Sequence, residues 1–190
     1  MGAGKTCIGR RLATRLGLNF RDADAEVEAA ADMTIPEIFE AYGEDAFRDC
    51  ERRVIARLLG EAPHVLATGG GAFMNAATRT LIKRNAVSVW LRADLDLLVR
   101  RTARRNHRPL LKRGDPRQIL GALIEERYPV YAEADVVVDS LDGPPEQTVD
   151  KVRTQLRPFL NDASAGFDPA GATDTDTDRI ESGSDREPST

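Results

Sequence analysis

Cysteine is scarce in this chain: Cys7 and Cys50 are its only two. Neither stands at metal-ligand or redox spacing, which excludes a zinc ribbon and a C-x-x-C centre and leaves two buried structural thiols of a reducing compartment. Aromatic residues are few, at 5% with one tryptophan, and they do not interleave with the arginines as they would on a nucleic-acid surface. No apolar run approaches the ~20 residues of a membrane helix, and no leader pattern stands before the first helix. No nucleic acid and no membrane are therefore expected as partners, and a cytoplasmic protein is; a monomer is expected, though nothing in the composition sets the oligomeric state.

What is abundant is charge, and it is unevenly placed. After Asn161 the composition turns to Asp, Ser, Thr, Gly and Pro, with Phe167 and Ile180 the only large apolar residues. Residues 162–190 carry a net −6 against −4 for the whole chain, so the body before them is close to neutral. Such a tail cannot bury enough apolar surface to offset the entropy of ordering, and 162–190 is expected to be disordered.

The chemistry begins at the first residues, Met1-Gly2-Ala3-Gly4-Lys5-Thr6. Gly4-Lys5-Thr6 reads as the closing half of a phosphate-binding loop, G-x-x-x-x-G-K-[ST]. Glycines let successive N–H groups cradle phosphates, the lysine reaches their oxygens and the hydroxyl meets Mg²⁺ at a helix N-terminus. Ile8, Leu12 and Leu16 then recur at helical spacing, and Gly17 can end that helix.

Further along, strands are expected over 18–21, 64–68, 87–91 and 135–139, each a compact apolar run separated from the next by helix. The pattern predicts an α/β fold with a parallel sheet and helices on both faces. Thr34 and Glu37 form a capping-box pair ahead of a helix that Gly43 breaks, and a second helix runs over 44–59. Asn75 and Asp94 open helices, Asp115-Pro116 starts one reaching about 131, and a final helix ends near 160.

Several candidate functional residues fall at the carboxyl ends of these strands, where parallel sheets bind ligands. Asp22 and Asp24 lie on one side of an extended segment; one suits water-mediated Mg²⁺ binding and the other can deprotonate a hydroxyl. Gly69-Gly70-Gly71 carries a large entropic cost, which implies positive φ or a close approach by a ligand. The basic segment from Arg104 to Gly114, with no sustained periodicity, suits a lid over about 104–116. Nothing local distinguishes Arg48 or Arg127 from solvated helix residues.

Six strings together resemble one family: M-G-A-G-K-T at 1–6, D-A-D at 22–24, F-R-D at 47–49, A-T-G-G-G at 67–71, R-P-L-L at 108–111 and R-Y-P-V-Y at 127–131. In order and approximate spacing they resemble shikimate kinase, a member of the nucleoside-monophosphate-kinase-like P-loop group. The resemblance implies a three-layer fold with five parallel strands ordered 2-3-1-4-5, over residues 1–161. It implies ATP and shikimate as substrates, Mg²⁺ as cofactor, and transfer of the γ-phosphoryl group to the 3-hydroxyl of shikimate. By position, Gly2, Ala3, Gly4, Lys5, Thr6 and Cys7 would hold the phosphates. Thr6 and Asp22 would hold the metal. Asp24 would bind the substrate hydroxyls and act as base. Arg48 and Arg127 would grip the carboxylate, in a pocket lined by Gly69, Gly70 and Gly71. Arg108 would be the lid arginine facing the phosphates, and Arg101 with Pro109 would flank the adenine.

Two features depart from the family. The acidic tail has no counterpart there and is given no role. Strand 1 and the first loop glycine would lie before Met1, so the natural polypeptide is expected to start upstream. A gluconate-kinase-like enzyme and a non-catalytic shikimate-binding domain stay open as alternative readings.

Overall fold

The computed structural model describes residues 2–103 and 114–165. Seven helices and four strands alternate along them: α1 (Lys5–Leu16), β1 (Asn19–Asp22), α2 (Ala23–Ala31), α3 (Ile35–Leu59), β2 (His64–Ala67), a 3₁₀ turn (Ala72–Met74), α4 (Ala76–Asn85), β3 (Val89–Arg92), α5 (Leu95–Ala103), α6 (Pro116–Tyr131), β4 (Val136–Asp139) and α7 (Pro145–Ala165). The expected strands are all present, shifted by up to two residues at their ends. The last helix runs to Ala165, past the boundary expected near 161.

Local chemistry accounts for most element ends. Gly17 takes the left-handed conformation (φ 67°) at the end of α1, and its N–H reaches the Ala13 and Thr14 carbonyls. Thr34 and Glu37 form the reciprocal capping box at the start of α3. Gly43 (φ 80°, ψ 179°) interrupts that helix, a backbone shape that glycine adopts without the steric cost of a Cβ. Asn75, Asp94 and Asp115 each accept a hydrogen bond from an N–H in the first turn of the following helix.

The strands form two parallel pairs. β1 lies beside β2 in the register Asn19 opposite His64 through Asp22 opposite Ala67. β3 lies beside β4, from Val89 opposite Val136 to Arg92 opposite Asp139. These are the pairings that the order 2-3-1-4-5 leaves without its strand 1, and no described residue hydrogen-bonds β2 to β3 in a ladder.

Helix α1 links the two pairs. Its Ile8 and Leu12 pack with Val136 and Val138 of β4 and Val149, Val152 and Leu156 of α7, while Val65 of β2 and Val89 and Leu91 of β3 close on the same cluster. A second layer joins α2 to α3 through Val27, Ile38, Phe47, Val54 and Leu58. Ile55 is fully buried between Ala23, Ala72 and Ile82, so the turn after β2 is seated on α3. Cys7 and Cys50 are half-buried free thiols; the expectation of full burial fails for both. Cys7 sits in the first turn of α1, where Arg11 Nη1 donates to its Sγ at 3.0 Å.

Truncating Ile55 leaves a cavity under the functional end of the sheet. Ile55→Ala is expected to lower the unfolding free energy by about 2–5 kcal/mol, measured as a shift in the urea midpoint at constant m-value.

Candidate functional site

The carboxyl ends of β1 and β2 and the first turn of α1 meet at one place. Gly4 caps α1 at φ 89° and Gly2 stands at φ 75°, so the segment before the helix uses left-handed backbone that glycine tolerates. Gly2 is packed against Thr102 and Leu98 of α5, leaving a Cβ only 3.2 Å from the Thr102 methyl. Asp22 ties two helix starts together: Oδ2 accepts from the Thr6 hydroxyl at 3.1 Å and Oδ1 from the Asp24 N–H at 3.2 Å. The hydroxyl and carboxylate are hard oxygen donors placed side by side, which is the donor set that Mg²⁺ prefers.

The three glycines after β2 are where the site closes. A Cβ on Gly69 would lie 2.9 Å from Glu51 Oε1 and 3.1 Å from Asp24 Oδ1. On Gly70 it would lie 3.1 Å from both Arg127 Nη1 and the Tyr131 hydroxyl, and on Gly71 it would overlap the Arg48 guanidinium. None of the three has a positive φ among the described glycines. Of the two reasons expected for glycine here, close approach is the operative one. The approaching groups are the protein's own side chains.

The turn therefore gathers α2, α3 and α6 around one point. Arg48 donates from Nη1 to Glu51 Oε2 at 2.8 Å and from Nη2 to Glu44 Oε1 at 3.1 Å. Its guanidinium also lies 5.0 Å from the Phe47 ring centroid. Glu51 is only 3% exposed, and its Oε1 is buried with no partner among the described residues. Arg127 Nε is likewise buried and unpaired among them. Buried groups of opposite charge with unmet hydrogen-bonding capacity thus lie on two of the side chains that close on the turn.

Electrostatics separates the acids. Burial pushes the Glu51 carboxyl up, Asp24 adds to the rise, and Arg48 opposes it. Asp24 opens to solvent on one side, yet desolvation raises it too, and the nearby Asp22 carboxylate adds to the rise. Lys5 and Arg48 pull Asp24 the other way. Lys5 of α1 and Arg48 of α3 thus both act on Asp24 of α2.

At the other wall, Arg101 of α5 donates to Ser140 Oγ at 2.9 Å and to the Leu141 carbonyl at 2.6 Å. Ser140 Oγ in turn donates to the Ala3 carbonyl at 3.3 Å, so the segment after β4 is fastened to the glycine-rich entry of α1. Of the expected residues, Gly2, Ala3, Gly4 and Arg101 meet here, while Thr6 is bonded to Asp22 at the start of α2. Asp24, Arg48 and Arg127 meet Gly69, Gly70 and Gly71 at the turn after β2. Arg108, Pro109 and the lid up to residue 113 lie outside the described residues, as do residues 166–190 of the tail.

Glu51, Tyr131 and Ser140 were not expected. Glu51 had a signal: with Phe47, Val54 and Leu58 it falls at 4-3-4 spacing, a carboxylate on the buried stripe of α3. Tyr131 stands four residues after Arg127, on the same helix face. Ser140 had no signal in sequence, since only tertiary packing brings residue 140 to residue 3.

Both raised carboxyls set a pH dependence of stability. Between the ordinary carboxyl value, about 4, and the raised one, the folded chain holds more protons than the unfolded chain, so stability falls as pH rises through that window. Glu51→Gln, which keeps the shape without the charge, is expected to flatten this fall in urea midpoints measured across the acid range.

Comparison with known proteins places these features in context. A family model described as shikimate kinase matches residues 1–157. A shikimate kinase from Paramagnetospirillum magneticum is 60% identical over 161 residues, covering 85% of this chain and 83% of that protein. A structure of shikimate kinase from Acinetobacter baumannii in complex with shikimate superposes with a TM-score of 0.77 at 39% identity, covering 85% and 89% of the two chains. A gluconokinase from Sinorhizobium meliloti superposes at 0.60 with 18% identity over 87% and 91%, a likeness of fold alone.

Proposed function

The chain belongs to the shikimate kinase family, and from that premise we propose the following division of labour in transferring the γ-phosphoryl group of ATP to the 3-hydroxyl of shikimate. The observation that carries the reading is the glycine turn, which touches Asp24, Glu51, Arg127 and Arg48 at once. Two arginines from different helices face it, and a planar guanidinium matches a carboxylate such as shikimate's. Asp24 lies between that turn and Lys5, where the hydroxyl to be phosphorylated belongs.

In the reaction the 3-hydroxyl oxygen attacks the γ-phosphorus and the bond from that phosphorus to the β–γ bridging oxygen breaks, leaving ADP. Asp24 takes the hydroxyl proton. Its raised carboxyl, compared with an ordinary aspartate, is a better proton acceptor near neutral pH. Lys5 and the N–H groups at the start of α1 neutralise charge on the phosphates, and Arg101 flanks the adenine. Thr6 and Asp22 would hold Mg²⁺, whose chemistry is to neutralise charge on the β- and γ-phosphate oxygens. Arg108 and Pro109 are assigned to the lid by position in the family pattern. The cytoplasm is the proposed compartment and a monomer the proposed state.

ATP-dependent phosphorylation of shikimate, followed by coupled ADP release, tests the reading. Shikimate binding with no turnover would overturn it in favour of a binding module. Asp24→Asn is expected to lower kcat by about 10²–10⁴-fold. In the unaltered enzyme kcat/KM should decline as pH falls through the raised Asp24 value, at a higher pH than an ordinary aspartate would set.

A further inference from the structure

Of the string R-Y-P-V-Y, only Arg127 is used by the reading above. Its last residue, Tyr131, is placed where that reading needs a restraint. We propose that Tyr131 is a positioning residue for the carboxylate end of shikimate, its hydroxyl locking the Gly70–Gly71 peptide and lying against Arg127 so that both present a fixed face to the substrate. The proposal rests on the assignment of Arg48, Arg127 and the glycine turn as the carboxylate site.

The Tyr131 hydroxyl donates to the Gly70 carbonyl. In a trans peptide the carbonyl and the following N–H point in opposite directions. Holding the Gly70 oxygen on the α6 side therefore sends the Gly71 N–H away from Tyr131. Three consecutive glycines have little intrinsic preference for one peptide orientation, so this plane needs an external lock. A hydroxyl has one proton and two lone pairs. With the proton committed to Gly70, only lone pairs remain toward the neighbouring Arg127 guanidinium, whose N–H hydrogen-bonds the Tyr131 hydroxyl.

The ring is itself held. It packs edge-on against Trp90 of β3, with centroids 6.0 Å apart, and against Phe73 of the 3₁₀ turn at 6.4 Å. Burial pushes the Tyr131 hydroxyl up from its ordinary value, with Arg127 opposing, so it remains a donor throughout the working range. Tyr128, three residues earlier, supplies a built-in contrast. Its hydroxyl also donates to a carbonyl, that of Ala93, but at the end of β3 and away from the glycine turn.

The test compares Tyr131→Phe, Tyr128→Phe and Arg127→Ala, reading shikimate affinity by calorimetry, KM for both substrates, and discrimination between shikimate and its methyl ester. Tyr131→Phe is expected to weaken shikimate about tenfold, to narrow discrimination against the uncharged ester and to leave KM for ATP within about twofold. Tyr128→Phe should change none of these, although it removes a similar hydrogen bond. If the two phenylalanine variants behave alike, Tyr131 has only a structural role and the proposal is overturned. If Arg127→Ala weakens shikimate while Tyr131→Phe does not, the proposal fails and the carboxylate assignment survives. If Arg127→Ala leaves shikimate affinity unchanged, the assignment fails and the proposal with it.

Discussion

The turn at residues 69–71 has no room for a side chain, and the arrangement of the functional end follows from that. Side chains of three helices fill the space over the glycines: α2 and α3 at Gly69, α6 at Gly70 and α3 again at Gly71. A Cβ at any of them meets a charged or hydroxyl group at about van der Waals limit or closer, so the turn sets the spacing between Asp24, Arg48 and Arg127. The flexibility of three glycines has a cost in conformational entropy. That cost is offset by the buried seat beneath the turn, where Ala72 and Phe73 pack on Ile55 and Ile82.

Charge at the same place is arranged against stability. Glu51 is nearly inaccessible, only one of its oxygens is paired, and its carboxyl is raised together with that of Asp24. Burying a carboxylate this way seldom contributes net stability, because desolvation competes with the ion pair. What it contributes is position. Glu51 takes Nη1 of Arg48, and Glu44 takes Nε and Nη2, which orients the guanidinium beside Gly71. Groups with perturbed protonation cluster at functional sites for this reason.

The two strand pairs are joined by helices and loops on the described residues. α1 packs on both pairs, and the Ala3–Ser140–Arg101 chain of hydrogen bonds fastens the phosphate-loop entry to the segment after β4. α1 thus touches both the pair that carries Ser140 at its end and the pair that runs into the glycine turn. A parallel arrangement brings the carboxyl ends of the strands within each pair to one side, which sets Asp22 at the end of β1 beside the glycine turn that follows β2.

Much of this was legible in the sequence. Short apolar runs marked β2, β3 and β4, although every strand keeps residues that are only partly buried or exposed. Thr34, Asn75, Asp94 and Asp115 marked helix starts, because capping is a local interaction. Gly4-Lys5-Thr6, Asp22, Asp24 and the triple glycine stood out because phosphate and carboxylate chemistry restricts residue type at short range. Arg48 and Arg127 did not stand out by local pattern; the family resemblance singled them out, and only the tertiary structure brought them to the glycines. Glu51 left a trace, a charge on an apolar stripe, while Ser140 left none. Tertiary structure also decided why the glycines are there: not for positive φ, but for the approach of side chains from three helices. Local chemistry is written in neighbouring residues, whereas a close approach between distant segments is set by how whole elements pack.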